Sequence, residues 1–314
     1  MPRHSSFFPS FVIRHSSFFL LLTLPLSAAD PAPTIPPPAA PAATPGLPFT
    51  TVFVGRDRFD ALLPRLAPAV GQPLGQRIAL CGRALVGTKY KGFTLEIDDH
   101  IEAPSVNLTG LDCWTFFETA LALARMLDEP RENWTPQTLL KYIELDRYRG
   151  GHCDGYLTRL HYLEDWLQDN DRRGLVRDLT RQLGGIPAAH SAVEMQRAWK
   201  SYRYMRANPA FRGGIARMED RIAATPLYYI PKSRVAAIEP MLQTGDIIGI
   251  CSHDGTFIGT SHVGLAYRTP DGVLHFMHAS APRNAGKVIL DQRLSGYLAH
   301  FKSEAGILVA RPLR

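Results

Sequence analysis

The sequence predicts an α+β fold in which helices pack on an antiparallel sheet. Two patterns carry that reading. Apolar residues recur at helical spacing from Phe59 to about Leu85 and from Asp112 to Leu127, and from Gly245 onward the period shifts to short β-rich runs bounded by Gly, Pro and Asp. A third observation sets the scale: with 314 residues, 45% hydrophobic and 20% charged, the chain has ample apolar material for a packed core, which excludes disorder throughout. The 35 Lys and Arg against 29 Asp and Glu give a formal charge of +6. These basic residues are scattered, so no nucleic-acid partner is expected, whereas an anionic polymer is permitted.

From the N-terminus, the first 29 residues hold Arg3 and Arg14, no acidic residue, and the apolar run Phe18 through Leu26, ending in Ser27-Ala28-Ala29. This layout predicts a secretory signal cleaved after Ala29, and hence export to the periplasm or cell envelope. An apolar run of about nine residues is too short for the ~20 that span a bilayer, so no stable membrane span is expected after signal removal. Arg3-His4-Ser5-Ser6-Phe7-Phe8 recurs as Arg14-His15-Ser16-Ser17-Phe18-Phe19, which leaves open a start later than Met1. Asp30 to Pro48 is mostly Pro, Ala and Thr and reads as an extended tether or a leader remnant. The rest, 49–314, reads as one domain. Helices come first, then a middle stretch from about 135 to 224 with Arg/Glu/Leu-rich helical patterns, expected as a helical insertion. The strands Asp246–Cys251, Ser261–Arg268, Val273–Ala279, Lys287–Leu290 and Ile307–Arg311 follow, bounded by Gly, Pro and Asp.

The chemistry starts at Asp112-Cys113. Asp112 suits an N-cap, and Phe116, Phe117, Ala120, Leu121, Ala124 and Leu127 form an apolar stripe behind it, so Cys113 falls in the first helical turn. Unpaired amides and the helix dipole there favour an anion, which predicts a lowered thiol pKa and a nucleophile. A nucleophilic cysteine needs a base. His262 lies in an alternating strand, and Pro270-Asp271-Gly272 between it and His278 fits a hairpin loop with Gly in the left-handed position. With Thr269 opposite Val273, His262 falls opposite Ser280 and His278 opposite Gly264, which makes the two histidines diagonal neighbours on one face. His275 has the other parity and points away.

These residues resemble a known set of motifs. Asp112-Cys113 at a helix start, Gly245-Asp246-Ile247-Ile248, Ser261-His262-Val263-Gly264-Leu265 and His278-Ala279-Ser280 look like those of the NlpC-type papain-like peptidoglycan hydrolases. More narrowly, Asn107-Leu108, Tyr156, Arg159-Leu160-His161-Tyr162, Asp165-Trp166, Asn170, Tyr228 through Lys232, Lys287-Val288 and Tyr297-Leu298 resemble the N-acetylmuramoyl-L-alanine amidase-like branch, over about Gly82 to Arg311. The resemblance implies a papain-like cysteine peptidase/amidase fold, with Cys113 as nucleophile, His262 as base, His278 as its orienting residue and Tyr90 as a helper at the oxyanion. It implies a peptidoglycan or muropeptide substrate, cut between the lactyl group of the sugar and L-alanine through a thioester, and no cofactor. Trp114 departs from the pattern, since the wider superfamily usually has a small residue after the cysteine.

Candidate substrate contacts are Asp112, Arg159, His161, Asp165, Trp166 and Ser261. Arg can pair with a carboxylate and Trp can stack on a sugar. Leu160, Leu163 and Leu167 support the other reading, an ordinary helix with Trp166 partly in the core. His152-Cys153-Asp154 with His161 has metal-ligating residue types but no ligand spacing, so no metal is expected. Cys81, Cys153 and Cys251 allow at most one disulfide. Two alternative functions are a stem-peptide endopeptidase of the same fold and a noncatalytic cell-wall binding module.

Overall fold

The structure is a computed structural model that describes residues 46–254 and 257–313. The expected signal (1–29) and the expected tether up to residue 45 lie outside the described residues. The predicted helices form at α1 (Arg56–Leu66), α2 (Leu74–Leu85) and α3 (Cys113–Met126). Next come α4 (Pro136–Arg147) and α5 (Leu163–Arg172), then the short strands β1 (Val176–Asp178) and β2 (Ile186–Ala188). The expectation of a helical insertion is corrected by these strands, which join the sheet. Three residues each, with Pro187 in β2, are too few to show an alternation in the sequence.

α6 (Arg212–Ala223), β3 (Leu227–Pro231) and α7 (Lys232–Ile238) lead to the strands expected from Gly245 onward. These are β4 (Ile247–Asp254), β5 (Phe257–Arg268), β6 (Leu274–Ala279), β7 (Val288–Arg293) and, after α8 (Leu294–His300), β8 (Glu304–Pro312). Among the described residues they build an eight-stranded antiparallel sheet in the order β2-β3-β8-β4-β5-β6-β7, with β1 also paired to β8.

Alternation along the strands fills two cores. On one face Ile247, Cys251, Val263, Leu265, Met277, Ala279 and Leu308 pack against α2 and α3. On the other face Ile248, Ile250, Ala266, Phe276, Ile307 and Val309 pack against Val235 and Ile238 of α7 and Leu294, Tyr297 and Leu298 of α8. From Thr115 to Met126, α3 is wrapped by protein on every side, not only along its apolar stripe. Its two charges are therefore paired internally: Arg147 Nε of α4 donates to Glu118 at 2.8 Å, and Arg125 Nε donates to Asp146 at 3.1 Å.

A third cluster, Tyr156, Met195, Tyr204, Met205, Ile215, Met218 and Ile222, belongs to the middle stretch. Tyr156 stacks on Tyr204 at 4.2 Å, and Glu219 accepts from the Tyr162 hydroxyl and the Met195 amide. Among the described residues, no helix is long and apolar enough to cross a membrane. All four cysteines are free thiols.

Candidate active site

Cys113 is the first residue of α3, and its position is set by a reciprocal cap. Asp112 Oδ1 accepts from the Thr115 amide at 2.8 Å, and Thr115 Oγ1 accepts from the Asp112 amide at 3.0 Å. The helix-start geometry is as the sequence predicts; the expected thiol acidity is not. Burial pushes the Cys113 thiol up to about 12 and Asp112 adds to the rise, against a smaller pull from the amides of Val263, Trp114 and Cys113. The reason is local packing: Cys113 and Trp114 are half-buried at the start of an otherwise buried helix, and desolvation of the thiol there outweighs the helix-start amides.

The hairpin pairs Leu265 with Met277 and Arg268 with Leu274, the register dictated by Pro270-Asp271-Gly272, and Gly272 takes a φ of +85°. His262 Nε2 then lies 2.6 Å from His278 Nδ1, with the rings nearly perpendicular. Gly264 lies beneath this face because an added Cβ would come within 2.7 Å of the Phe276 ring. Phe276 in turn stacks on His278 at 4.7 Å, and His278 is 2% exposed. Burial, then the neighbouring His278, lowers His262 to about 3, with Asp291 acting in the opposite sense. The resting pair is thus a neutral thiol and a neutral imidazole.

Asp291 is a residue that sequence reasoning missed. Its Oδ2 accepts from His278 Nε2 at 3.1 Å, and that bond holds the carboxyl below its ordinary range. The observed register explains its place: His278 pairs with Ile289, so Asp291, two residues on, shares its face, a pairing that no turn between these strands dictates in the sequence. His275 has the opposite parity and donates through Nδ1 to the Asp291 carbonyl at 2.7 Å.

Cys113 and His262 line one cavity of about 200 Å³, with Ser261, His161, Glu164 and Met195 among its other walls. No hydrogen bond joins the thiol to His262 among the described residues, a looseness common before substrate binds. A second cavity of about 280 Å³ is lined by Tyr90, Asp112, Arg159 and Glu96, and shares Trp114, His161, Met195 and Tyr202 with the first. Trp114, the departure from the motif, stands edge-on to Phe117 at 5.5 Å and lines both spaces, so the cleft has two parts that meet at Trp114.

Tyr90 is brought beside the site by a bridge to Leu111, and burial, then Cys113 and Asp112, pushes its phenol up to about 12. It is therefore a donor at neutral pH. Ser261 is the extra residue of a bulge, since Ile250 pairs with His262 and Cys251 with Thr260. Its hydroxyl bonds Ser252, Glu304 and the Ile250 carbonyl.

Three of the candidate substrate contacts are engaged in the framework. Arg159 is buried, donates to Glu96 and to the Leu95 carbonyl at 3.1 Å, and lies over the Tyr156 ring. Asp165 pairs with Arg149 and Arg221, and Trp166 is fully buried, edge-on to Phe117 at 5.2 Å. His161 remains at the cavity wall with Nε2 donating to the Tyr156 carbonyl at 2.9 Å, and burial followed by Arg159 lowers it well below its ordinary value. His152 pairs with Glu144 and Cys153 turns to the Glu102 carbonyl; among the described residues no three His, Cys, Asp or Glu side chains gather as a metal-binding group.

Comparison with known proteins adds to this geometry. The model of a family described as AmiA-like, N-acetylmuramoyl-L-alanine amidase-like, matches residues 80–307. No curated protein matches. Among solved structures, an N-acetylmuramoyl-L-alanine amidase from Bacteroides uniformis ATCC 8492 is 27% identical, with 77% of this chain and 99% of that one covered and a TM-score of 0.69. A Bacteroides fragilis protein described as a candidate xylanase is 32% identical over 74% of this chain and 98% of that one, with a TM-score of 0.65. A protein from Legionella pneumophila str. Philadelphia 1, 20% identical, covers 82% of this chain and 95% of its own with a TM-score of 0.61, a likeness of fold.

Proposed function

Because the chain belongs to the AmiA-like, N-acetylmuramoyl-L-alanine amidase-like family, we propose that it is a cysteine-dependent amidase of the NlpC-type, papain-like kind, acting outside the cytoplasm on peptidoglycan or its muropeptides. The scissile bond joins the lactyl carbonyl of the N-acetylmuramoyl sugar to L-alanine. One observation carries the reading: His262, which lines the same cavity as Cys113 at a capped helix start, lies 2.6 Å from His278.

The chemistry follows from the neutral pair. As Cys113 Sγ bonds to the lactyl carbonyl carbon, its proton moves to His262, and the carbonyl oxygen takes the negative charge. The Cys113 backbone N–H and the Tyr90 hydroxyl donate to that oxygen. His262 then gives its proton to the alanine nitrogen as the C–N bond breaks, which leaves a thioester that carries the sugar. Water attacks the thioester and passes a proton to His262, which returns it to the departing sulfur. His278 keeps the His262 ring aligned throughout. Asp112, His161 and Ser261 are the groups left at or beside the cleft to meet substrate, whereas Arg159, Asp165 and Trp166 support its walls.

The test is digestion of defined muropeptides by the domain from Phe49 onward, with products identified by mass spectrometry. Free sugar and an intact peptide that begins with L-alanine, both lost on thiol alkylation and in Cys113→Ala, are expected. Cuts within the stem peptide identify an endopeptidase, and binding without products identifies a wall-binding module; either result refutes the amidase reading.

A further inference from the structure

We propose that Asp291 is a positioning residue that dictates where both histidines carry their protons, and thereby which nitrogen His262 presents to Cys113. The inference takes its reaction from the amidase reading, while its proton arrangement is open to observation without substrate.

The argument runs along one chain of contacts. A carboxylate only accepts, so the 3.1 Å contact places a proton on His278 Nε2. A neutral His278 then has a lone pair at Nδ1, and His262 Nε2, 2.6 Å away, must supply the proton between them. A neutral His262 with its proton on Nε2 has a bare Nδ1, and that nitrogen is free to take the thiol proton. Without Asp291 the order is free to reverse. A proton on His278 Nδ1 would point at His262 Nε2, move the His262 proton to Nδ1, and leave no base for the thiol.

The fold aims the carboxylate with some care. Met277 pairs with Leu290 but His275 pairs with Arg293, so Asp291 and Gln292 together oppose Phe276 as a β-bulge. Bulges of this kind redirect side chains next to functional sites. The Gln292 amide donates to Asp291 Oδ1 at 2.7 Å, and His275 Nδ1 donates to the Asp291 carbonyl at 2.7 Å. One carboxylate oxygen and the backbone are thus fixed, and the other oxygen meets His278. The His278 side chain is 3% exposed and that of Asp291 27%, so the bond crosses from a desolvated ring to a residue still within reach of solvent.

The experiment uses Asp291→Asn, whose amide can donate to His278 Nε2 as readily as its oxygen can accept, and Asp291→Glu, which restores a pure acceptor. With a muropeptide as substrate, Asp291→Asn should lower kcat roughly 10- to 100-fold, by analogy with other residues that orient a catalytic group, and leave KM nearly unchanged. Asp291→Glu should recover most of the loss. Nitrogen-15 NMR of histidine-labelled protein, free of substrate, should show His262 unprotonated at Nδ1 in the wild type and exchanging between tautomers in Asp291→Asn. A wild-type His262 protonated at Nδ1 overturns the proposal even if Asp291→Asn fails to fold, as does an Asn variant with wild-type kcat and tautomer. If the wild type shows the stated tautomer but cuts no muropeptide, the amidase reading fails and the assignment to Asp291 stands.

Discussion

At the scale of single residues, the site works through neutral groups. Charge separation between Cys113 and His262 is not stored in the resting protein, because burial holds the thiol up to about 12 and the imidazole down to about 3. In the proposed reaction the proton therefore moves as the bond forms, and His262 must be correctly oriented beforehand. His278 does that directly, and His275 only through the backbone of Asp291. His278→Ala should cost roughly 10²-fold or more in kcat, the range for loss of acid–base alignment, and His275→Ala less than about tenfold, both read from steady-state muropeptide cleavage. The distinction between these histidines was legible in the sequence, because Pro270-Asp271-Gly272 sets the hairpin register and parity does the rest. Asp291 was not, since its strand carries a bulge whose place depends on packing that no local pattern announces. Nor was the thiol's neutrality: a helix start signals amides, and only the tertiary structure shows how little water reaches them.

At the scale of elements, α3 is the pillar on which Cys113 stands. Its apolar stripe is plain in the sequence, but Glu118 and Arg125 on its other sides suggest a solvated face. Both are instead sunk against α4, with Glu118 and Arg147 at most 1% exposed. Arg147 also donates to the Ser105 carbonyl at 2.9 Å, so one guanidinium ties α4, α3 and the segment before Cys113 together. Arg147→Ala leaves a buried carboxylate without its partner, and urea unfolding at neutral pH should show a loss of about 3–5 kcal/mol. The short strands β1 and β2 escape sequence reading for the opposite reason. Their pairing is imposed by β8 and β3 and not by any preference of three residues.

For the whole molecule, the two-faced sheet places the His262–His278 pair over the α8 side while α3 packs on the other, and the middle stretch closes the cleft from outside. His161, half-buried at the cavity wall, belongs to that closure, and desolvation followed by Arg159 holds it in its neutral form. A histidine held below its ordinary value contributes stability above the unfolded-state value of about 6.5, and that contribution is lost as pH falls, since only the unfolded chain takes up the proton. Wild-type stability should therefore drop faster than that of His161→Gln between pH 7 and pH 5, by roughly 1 kcal/mol per pH unit below about 6.5, in urea titrations at each pH. His262 and the buried acids Glu102, Glu118 and Asp146, whose raised values act in the opposite direction, titrate in both proteins and cancel in the comparison.

The bulge at Ser261 also governs which changes of chain length this protein can tolerate. Pairing on its far side, from Phe257 to Thr260, runs one step out of phase with pairing from His262 onward. A residue gained or lost in the outer segment can be absorbed there by moving or erasing the bulge, with His262 left on its face. The same change between His262 and Arg268 has no such buffer: it exchanges His262 with Val263 across the sheet and removes the proposed base from the site. A change of length within Phe257–Thr260 should thus leave the face of His262 unchanged, while the stretch from His262 to the turn at Pro270 has to keep a constant count.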